Sequence, residues 1–267
     1  MQPLNFQFPR FQLFEFHERH ECPKFLRDAI VEILGRTMRW GAFFDPVIPI
    51  FKEFCQKTDT HELIDLCSGT GESTSVLIDG MNRQGITDYK IIISDLFPKI
   101  HAMKETASHY PNQMEIIHHP IDATDVPQTF DRSARTIINA FHHFPEDLAK
   151  KIINDCVEKQ RGIFILELFP RKLFRFLPTL PYFIASYVVT PFLTKHDRFL
   201  KIIFSFVIPI IALIGCWDAF ISVLRIYTKD ELMQLVKTEG YEWIYEEVPF
   251  FPCGKAVVFY GIPLEKG

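Results

Sequence analysis

From residue 62 onward, short β-branched runs alternate with helical spacing, and nothing else in the chain constrains its fold as strongly. The segments ELIDL (62–66), KIIISD (90–95), MEIIHHP (114–120), TIINAF (136–141) and GIFILELF (162–169) read as strands. Between them, Ser73–Met81, Lys99–His109 and Pro145–Lys159 carry helical periodicity. Strands that share a direction need a long crossover, normally a helix, so this order predicts a parallel sheet covered on both faces. Downstream, a helix over Lys229–Glu239 precedes strands at Trp243–Val248 and Lys255–Gly261. Their connection, with Pro249, Pro252 and Gly254, suits an antiparallel hairpin at the sheet edge.

Two segments stand outside this alternation. Residues 1–22 are Phe-rich but broken by Pro3 and Pro9, and read as an extended arm. Pro23 then opens a helix in which Phe25, Leu26, Ala29, Ile30, Ile33 and Leu34 recur at helical spacing, and a second helix covers Pro46–Gln56. Between Phe169 and Tyr227 lie two uncharged runs, Phe176–Thr194 and Ile202–Trp217, broken by Pro178, Pro181, Pro191, Pro209 and Gly215. A spanning helix needs about 20 apolar residues, so neither run is a clear transmembrane segment. The chain therefore divides into an arm and helical cap (1–60), a core (61–170), an apolar insertion (171–226) and a helix with closing hairpin (227–267).

The turn that follows the first strand carries the chemistry. In LIDLCSGTGES, Asp65 ends the strand and Gly69 and Gly71 shape the turn into a helix. Glycines let backbone approach a ligand, and the N-terminus of the following helix favours polar groups. Asp95 ends the next strand, where an acid can accept hydrogen bonds from both ribose hydroxyls. Thr74 stands where a dinucleotide fingerprint has its third glycine, and no GKS or GKT is present. These features suit a nucleoside without phosphates.

Over residues 60–170 and 225–262 the chain resembles the class I S-adenosylmethionine-dependent methyltransferases. IDLCSGTGES resembles their first motif, IIISD the second, IDATDVP the third and INAFHHF the fourth region. The resemblance implies a doubly wound, mostly parallel seven-stranded α/β sheet of Rossmann-like type with an antiparallel edge strand. It implies S-adenosylmethionine as cofactor, held by Asp65, Cys67, Ser68, Gly69, Thr70 and Gly71 on the first loop. Asp95 and Leu96 would meet the ribose side, Asp122 and Ala123 the adenine, and Asn139 the methyl-facing region. The family's usual residue at Cys67 is glycine, which is the main departure.

His142 and His143, just past the fourth strand, are the candidate bases, since histidine titrates near neutrality. Glu167, near the end of the fifth strand, either reaches the acceptor or pairs with an arginine. Asp218 and Arg225, two helical turns apart in apolar sequence, read as a structural pair or a lid anchor. His17, His20 and Cys22 lack a recognisable fourth ligand, so no metal is expected.

Charge and composition then bound the partners. A net charge of −4 and a pI near 6.2 exclude a generic nucleic-acid binder. The six cysteines form no CxxC pair and suit reduced thiols in a cytosolic protein. No basic stretch followed by an apolar core opens the chain, so no secretory signal is expected. Arg171–Arg225 holds seven basic and two acidic residues, a net +5 that leaves −9 elsewhere. Basic clusters beside apolar runs suit attachment to anionic lipid. An apolar lid over the acceptor and a spanning segment are the other placements, and the first two are compatible. Phenylalanine supplies 27 residues, thirteen of them in the arm and insertion, which points to whatever covers the acceptor or rests on lipid.

The expected protein is thus a cytoplasmic methyltransferase, peripheral at the inner face of a membrane, acting on a lipophilic or aromatic small molecule. The alternatives are a membrane-associated nucleoside-binding module without catalysis, and an aminopropyl transferase.

Overall fold

The computed structural model describes residues 9–19, 21–172, 177–237 and 239–264. The sequence positions Phe6, Phe8, His20, Phe174, Arg175 and Phe176 lie outside them. The cap contains α1 (Lys24–Trp40) and α2 (Ile48–Lys57). The core then runs β1 (Glu62–Asp65), α3 (Glu72–Arg83), β2 (Lys90–Ile93), α4 (Ile100–Ala107), β3 (Met114–Ile116), β4 (Ala134–Ile138), α5 (Glu146–Glu158) and β5 (Ile163–Glu167). The insertion holds α6 (Leu180–Leu193), α7 (Arg198–Ile202), a π-helical turn (Ile203–Val207) and α8 (Ile210–Arg225). The chain closes with α9 (Lys229–Leu235), β6 (Tyr241–Phe250) and β7 (Gly254–Pro263).

The seven strands form one sheet in the order β3-β2-β1-β4-β5-β7-β6. β1 pairs in parallel with β2 on one side and β4 on the other, so Asp65 sits beside both Ile93 and Thr136. The chain order reverses at that point, which is where open α/β sheets bind ligands beyond the carboxyl ends of their strands. β7 runs antiparallel to β5 and β6, and the hairpin expected from the sequence closes this side of the sheet.

Two boundaries differ from the sequence reading. The fourth strand stops at Ile138, because Asn139 turns to φ 55°, which no strand residue adopts. α9 ends at Leu235 rather than Glu239, before Gly240 at φ 77°. On one face of the sheet, Phe43, Phe44, Phe51 and Phe54 are all buried. Phe51 and Phe54 pack on Phe164 with ring centroids 5.2 and 5.3 Å apart, and Phe43 stacks on Phe250 at 4.4 Å. Burying each such ring is worth roughly 1.5–3 kcal/mol. The phenylalanine excess is therefore split: the cap and sheet core hold one buried block that the sequence reading assigned elsewhere.

The insertion packs against α1 through α6, α7 and α8. Between α7 and α8 the chain turns by 81°, where Pro209 ends the π-helical turn. Among the described residues no single helix is long and apolar enough to cross a membrane. The expected basic surface is also corrected. Arg171 binds Glu231, Lys172 binds Glu247, Lys195 binds Glu105, and Lys201 binds Glu32 at 2.7 Å with its side chain fully buried. Arg225 binds Glu15 and Glu18. The net +5 is thus largely neutralised by carboxylates from the rest of the molecule.

Candidate active site

The floor of the site is the loop after β1. Asp65 is buried and accepts hydrogen bonds from the hydroxyls of Ser68 (2.7 Å), Thr74 (2.5 Å) and Thr136 (2.7 Å). Burial raises its pKa to about 6, against the lowering effect of those hydroxyls. Asp65 and Ser68, both expected on the cofactor, use these side chains to tie the loop to the sheet; the carboxylate has no free face toward the crevice. Cys67, Gly69 and Gly71 all take positive φ, 62°, 60° and 79°. A side chain on Gly71 would come 2.8 Å from Ile93 Cδ1, whereas above Gly69 the space is open. The loop backbone at Gly69 can therefore be approached directly by a ligand.

Asp95 is half-buried at the rim, its two oxygens accepting from the backbone N–H of Gly69 and of Phe97, each at 2.8 Å. Carboxylate oxygens accept more than one hydrogen bond each, so acceptor capacity remains on both. Leu96 is exposed beside it. Asp122 is exposed in the loop after β3, its Oδ1 capping Thr124, and Ala123 is buried behind it. Thr70 turns toward a second, more polar cleft of about 1100 Å³ that α1, α3 and α4 enclose. The open glycine backbone and the rim acid fit the nucleoside and amino-acid parts of S-adenosylmethionine.

The adjacent histidines have opposite surroundings. The turn Phe141–His143 follows β4, and His142 is buried with Nδ1 2.7 Å from Glu167 Oε2 while its own backbone N–H donates to Glu167 Oε1 at 2.8 Å. Burial pushes His142 down to about 4 and Glu167 up to about 8, because each loses water around its charged form. Among the described residues, Glu167 neither lines the cavity nor pairs with an arginine; it holds the imidazole. Nε2 of His142 has no hydrogen-bond partner among the described residues. His143 instead places Nδ1 2.6 Å from Glu18 and 3.0 Å from Arg225, away from the cavity.

Over this end of the sheet lies a cavity of about 290 Å³, almost wholly apolar. Leu34 of α1, Leu168, Phe169, Phe183, Ile211 and Val223 contribute to its walls, with Asn139, His142 and Glu15 at its polar end. Glu15 is buried, 3.8 Å from His142 Nε2. Sequence reasoning missed it; the signal was an acid set among the arm's phenylalanines, FQLFEF. Glu15, His142 and His143 each direct a possible ligand atom into one space, all within 4.8 Å of one another. Arg225 already donates into that space, to Glu15 at 3.0 Å, and lies 3.0 Å from His143 Nδ1, so a guanidinium supplies the positive charge there.

The arm is strapped down from α8. The Asp218 carboxylate accepts from the backbone N–H groups of Phe16 and His17 and meets His17 Nδ1 at 3.0 Å. Arg225 grips Glu15 and Glu18, and Arg10 donates to the carbonyls of His142 and Phe144. Asp218 and Arg225 do not pair with each other; both anchor the strand that closes the cavity.

No protein-family model matches the chain, and no curated protein matches it. Solved structures do. A SAM-dependent methyltransferase from Aquifex aeolicus is similar over 88% of this chain and 97% of its own, at 12% identity and a TM-score of 0.51. A protein assigned as an O-methyltransferase from Nostoc punctiforme is 14% identical with a TM-score of 0.50, over 90% of this chain and 61% of its own. The pyocyanin biosynthetic protein PhzM is 12% identical with a TM-score of 0.46, over 76% of this chain and 50% of its own. The chain thus spans half to three-fifths of the length of the latter two. The strand order and the first two likenesses give the chain the fold of the class I SAM-dependent methyltransferases.

Proposed function

We propose that the protein methylates a hydroxyl of a small apolar or aromatic acceptor, with S-adenosylmethionine as cofactor. The observation that carries this reading is the partnerless Nε2 of His142, a residue that lines the apolar cavity at the carboxyl end of β4. Bound cofactor supplies a methyl group already attached to a sulfonium leaving group, so the chain must mainly align, desolvate and deprotonate. Gly69 and Gly71 offer backbone to the amino-acid portion, Asp95 its carboxylate to the ribose, and Asp122 with Ala123 the adenine side.

His142 accepts the acceptor's proton at Nε2. For that, Nδ1 must carry the other proton and donate it to the Glu167 carboxylate. Glu167 is therefore a positioning residue that selects the tautomer. The walls exclude water from the nucleophile, and Glu15 bounds the space in which a hydroxyl fits. An aminopropyl acceptor, a polyamine, suits the cavity poorly: its carboxylates, Glu15 and Asp218, are already engaged by Arg225, His17 and backbone donors.

Calorimetry with S-adenosylmethionine tests the first half, with Asp95→Ala expected to weaken binding. No binding by the folded wild type would remove the enzyme reading. Transfer of labelled methyl to fractions of small phenols and lipids then identifies the acceptor class. Label confined to polar metabolites would contradict the apolar one.

A further inference from the structure

We propose that the elbow between α7 and α8 inserts into one leaflet of a lipid bilayer, and that the acceptor reaches the cavity from there. The elbow carries the most exposed apolar side chains of the insertion. Phe199 and Val207 are each 73% exposed and Leu213 69%, with Phe206 and Ile208 about half exposed; Ile184, on α6, is 60% exposed. Monomeric proteins rarely present so much contiguous apolar surface to water. No charged residue occurs from Ile202 to Trp217.

Three observations favour lipid over a protein partner. First, Arg198–Val207 and Ile210–Arg225, joined at the 81° bend, are together long and apolar enough for a broken or re-entrant membrane segment. Second, the N–H groups on either side of Pro209 are satisfied within the corner itself. Ile208 N–H donates to the Ile203 carbonyl, Pro209 has no N–H, and Ile210 N–H donates to the Ile208 carbonyl. Hydrocarbon demands this of irregular backbone, because it offers no hydrogen bonds of its own. Third, the exposed face and the cavity share a wall. Ile184 belongs to both, and α8 lines the cavity through Ala212, Gly215 and Cys216. At Gly215, which lines the cavity, an added side chain would meet nothing within 4 Å, so a larger side chain there has open space to fill.

The pairing of the insertion's basic residues sets the kind of attachment. With Arg171, Lys172, Lys195, Lys201 and Arg225 held by carboxylates, apolar insertion rather than attraction to anionic headgroups drives binding. Trp217, packed with Phe14 and Phe16, ends the uncharged run on α8, where an aromatic would suit the membrane interface.

Flotation of the full chain with vesicles tests this without any cofactor. Phosphatidylcholine vesicles should carry the protein as well as anionic ones do, at low and high salt alike. Val207→Asp and Leu213→Asp should each lower co-flotation roughly tenfold or more, while leaving the thermal midpoint unchanged because both side chains are exposed. Absence of co-flotation overturns the proposal, as does binding confined to anionic vesicles and released by salt. So does a wild-type dimer in solution that Val207→Asp splits, which would make this face a contact between copies. The route to the cavity rests on the methyl-transfer reading. Gly215→Phe should leave flotation and cofactor binding intact while abolishing methylation of an acceptor supplied in vesicles. Full activity in that variant would remove the route but not the attachment.

Discussion

The floor and the roof of the cavity are built in opposite ways. In the floor, Asp65 gathers three hydroxyls from residues close in sequence or on the adjacent strand, and the turn that follows is set by Gly69 and Gly71. The roof is assembled from groups some two hundred residues apart: Asp218 on Phe16 and His17, Arg225 on Glu15 and Glu18. The floor is tied to the sheet by its own hydrogen bonds and left open above Gly69. The roof is polar where it meets the floor and apolar on its outer face. The difference teaches that the strands fix where a cofactor lies, while long-range ion pairs decide what can lie above it.

The largest effect is expected at the seam. His142→Gln keeps a hydrogen bond to Glu167 and both halves of the site, but removes the base. Turnover should fall by about 10²–10⁴-fold with cofactor affinity unchanged, measured by single-turnover methylation and calorimetry. His143→Gln, one residue away, should leave turnover within a few-fold, because its ring faces Glu18 and Arg225. Equal losses for both would erase the distinction between them.

Next comes the roof alone. Arg225→Met leaves Glu15 buried without its cation, and a buried ion left unpaired costs on the order of 3 kcal/mol. Chemical denaturation should show that loss. Limited proteolysis should show the arm cut ahead of the core, since one of the arm's anchors is gone while the floor is untouched. Simultaneous cleavage of arm and core would mean that floor and roof unfold as one unit.

How much of this was legible in sequence follows the same division. LIDLCSGTGES and IIISD announce the floor because their contacts are local: strand, tight turn and helix lie within a dozen residues. The histidine pair was visible, but not which ring faces the cavity, since that depends on Glu167 and Glu18 arriving from two distant segments. Asp218 and Arg225 stood out as charges in apolar sequence, yet their partners lie in the arm. Seven basic residues suggested a basic surface because sequence shows charge without showing Glu32, Glu105, Glu231 and Glu247 turned toward it. Phenylalanine misled for a related reason. The run around Phe43–Phe54 and the run around Phe192–Phe220 look alike on the page, and only the sheet buries the first.

Smaller effects come from protons at the seam. Glu167 titrates at about 8 in the fold and near 4.5 when unfolded, while His142 moves from 6.5 down to about 4. With Glu167 protonated, its proton points at Nδ1 and Nε2 keeps its own hydrogen, so His142 cannot act as base. Turnover should therefore rise as pH passes about 8. In stability the signs are these. Below 6.5 the two groups oppose each other, because folding raises one affinity for protons and lowers the other. Between about 6.5 and 8 only Glu167 holds more protons folded than unfolded, so stability falls with rising pH, by at most about 1.4 kcal/mol per unit. Glu167→Gln should flatten both profiles in that window. A wild-type rate already independent of pH there would show that the carboxylate is ionised and the tautomer set at neutrality.

The smallest effects compare glycine where it is missing with glycine where the fold has no need of it. Cys67 holds φ 62° in the floor, a conformation that costs a residue with a side chain roughly 1–2 kcal/mol. Glycine removes that strain but loses roughly 0.5–1 kcal/mol through the freedom of the unfolded chain. Cys67→Gly should thus change stability by less than about 1 kcal/mol despite the half-buried thiol, whereas Cys67→Val, β-branched, should cost clearly more. In the roof, Gly215 sits inside α8 with open space around it. Alanine there should stabilise the helix by roughly 0.5–1 kcal/mol. If thermal melts show that gain together with slower uptake of a membrane-supplied acceptor, the glycine serves passage rather than packing. If Gly215→Ala destabilises, α8 is packed more tightly than its open neighbourhood shows, and the wall of the cavity is closed at that point.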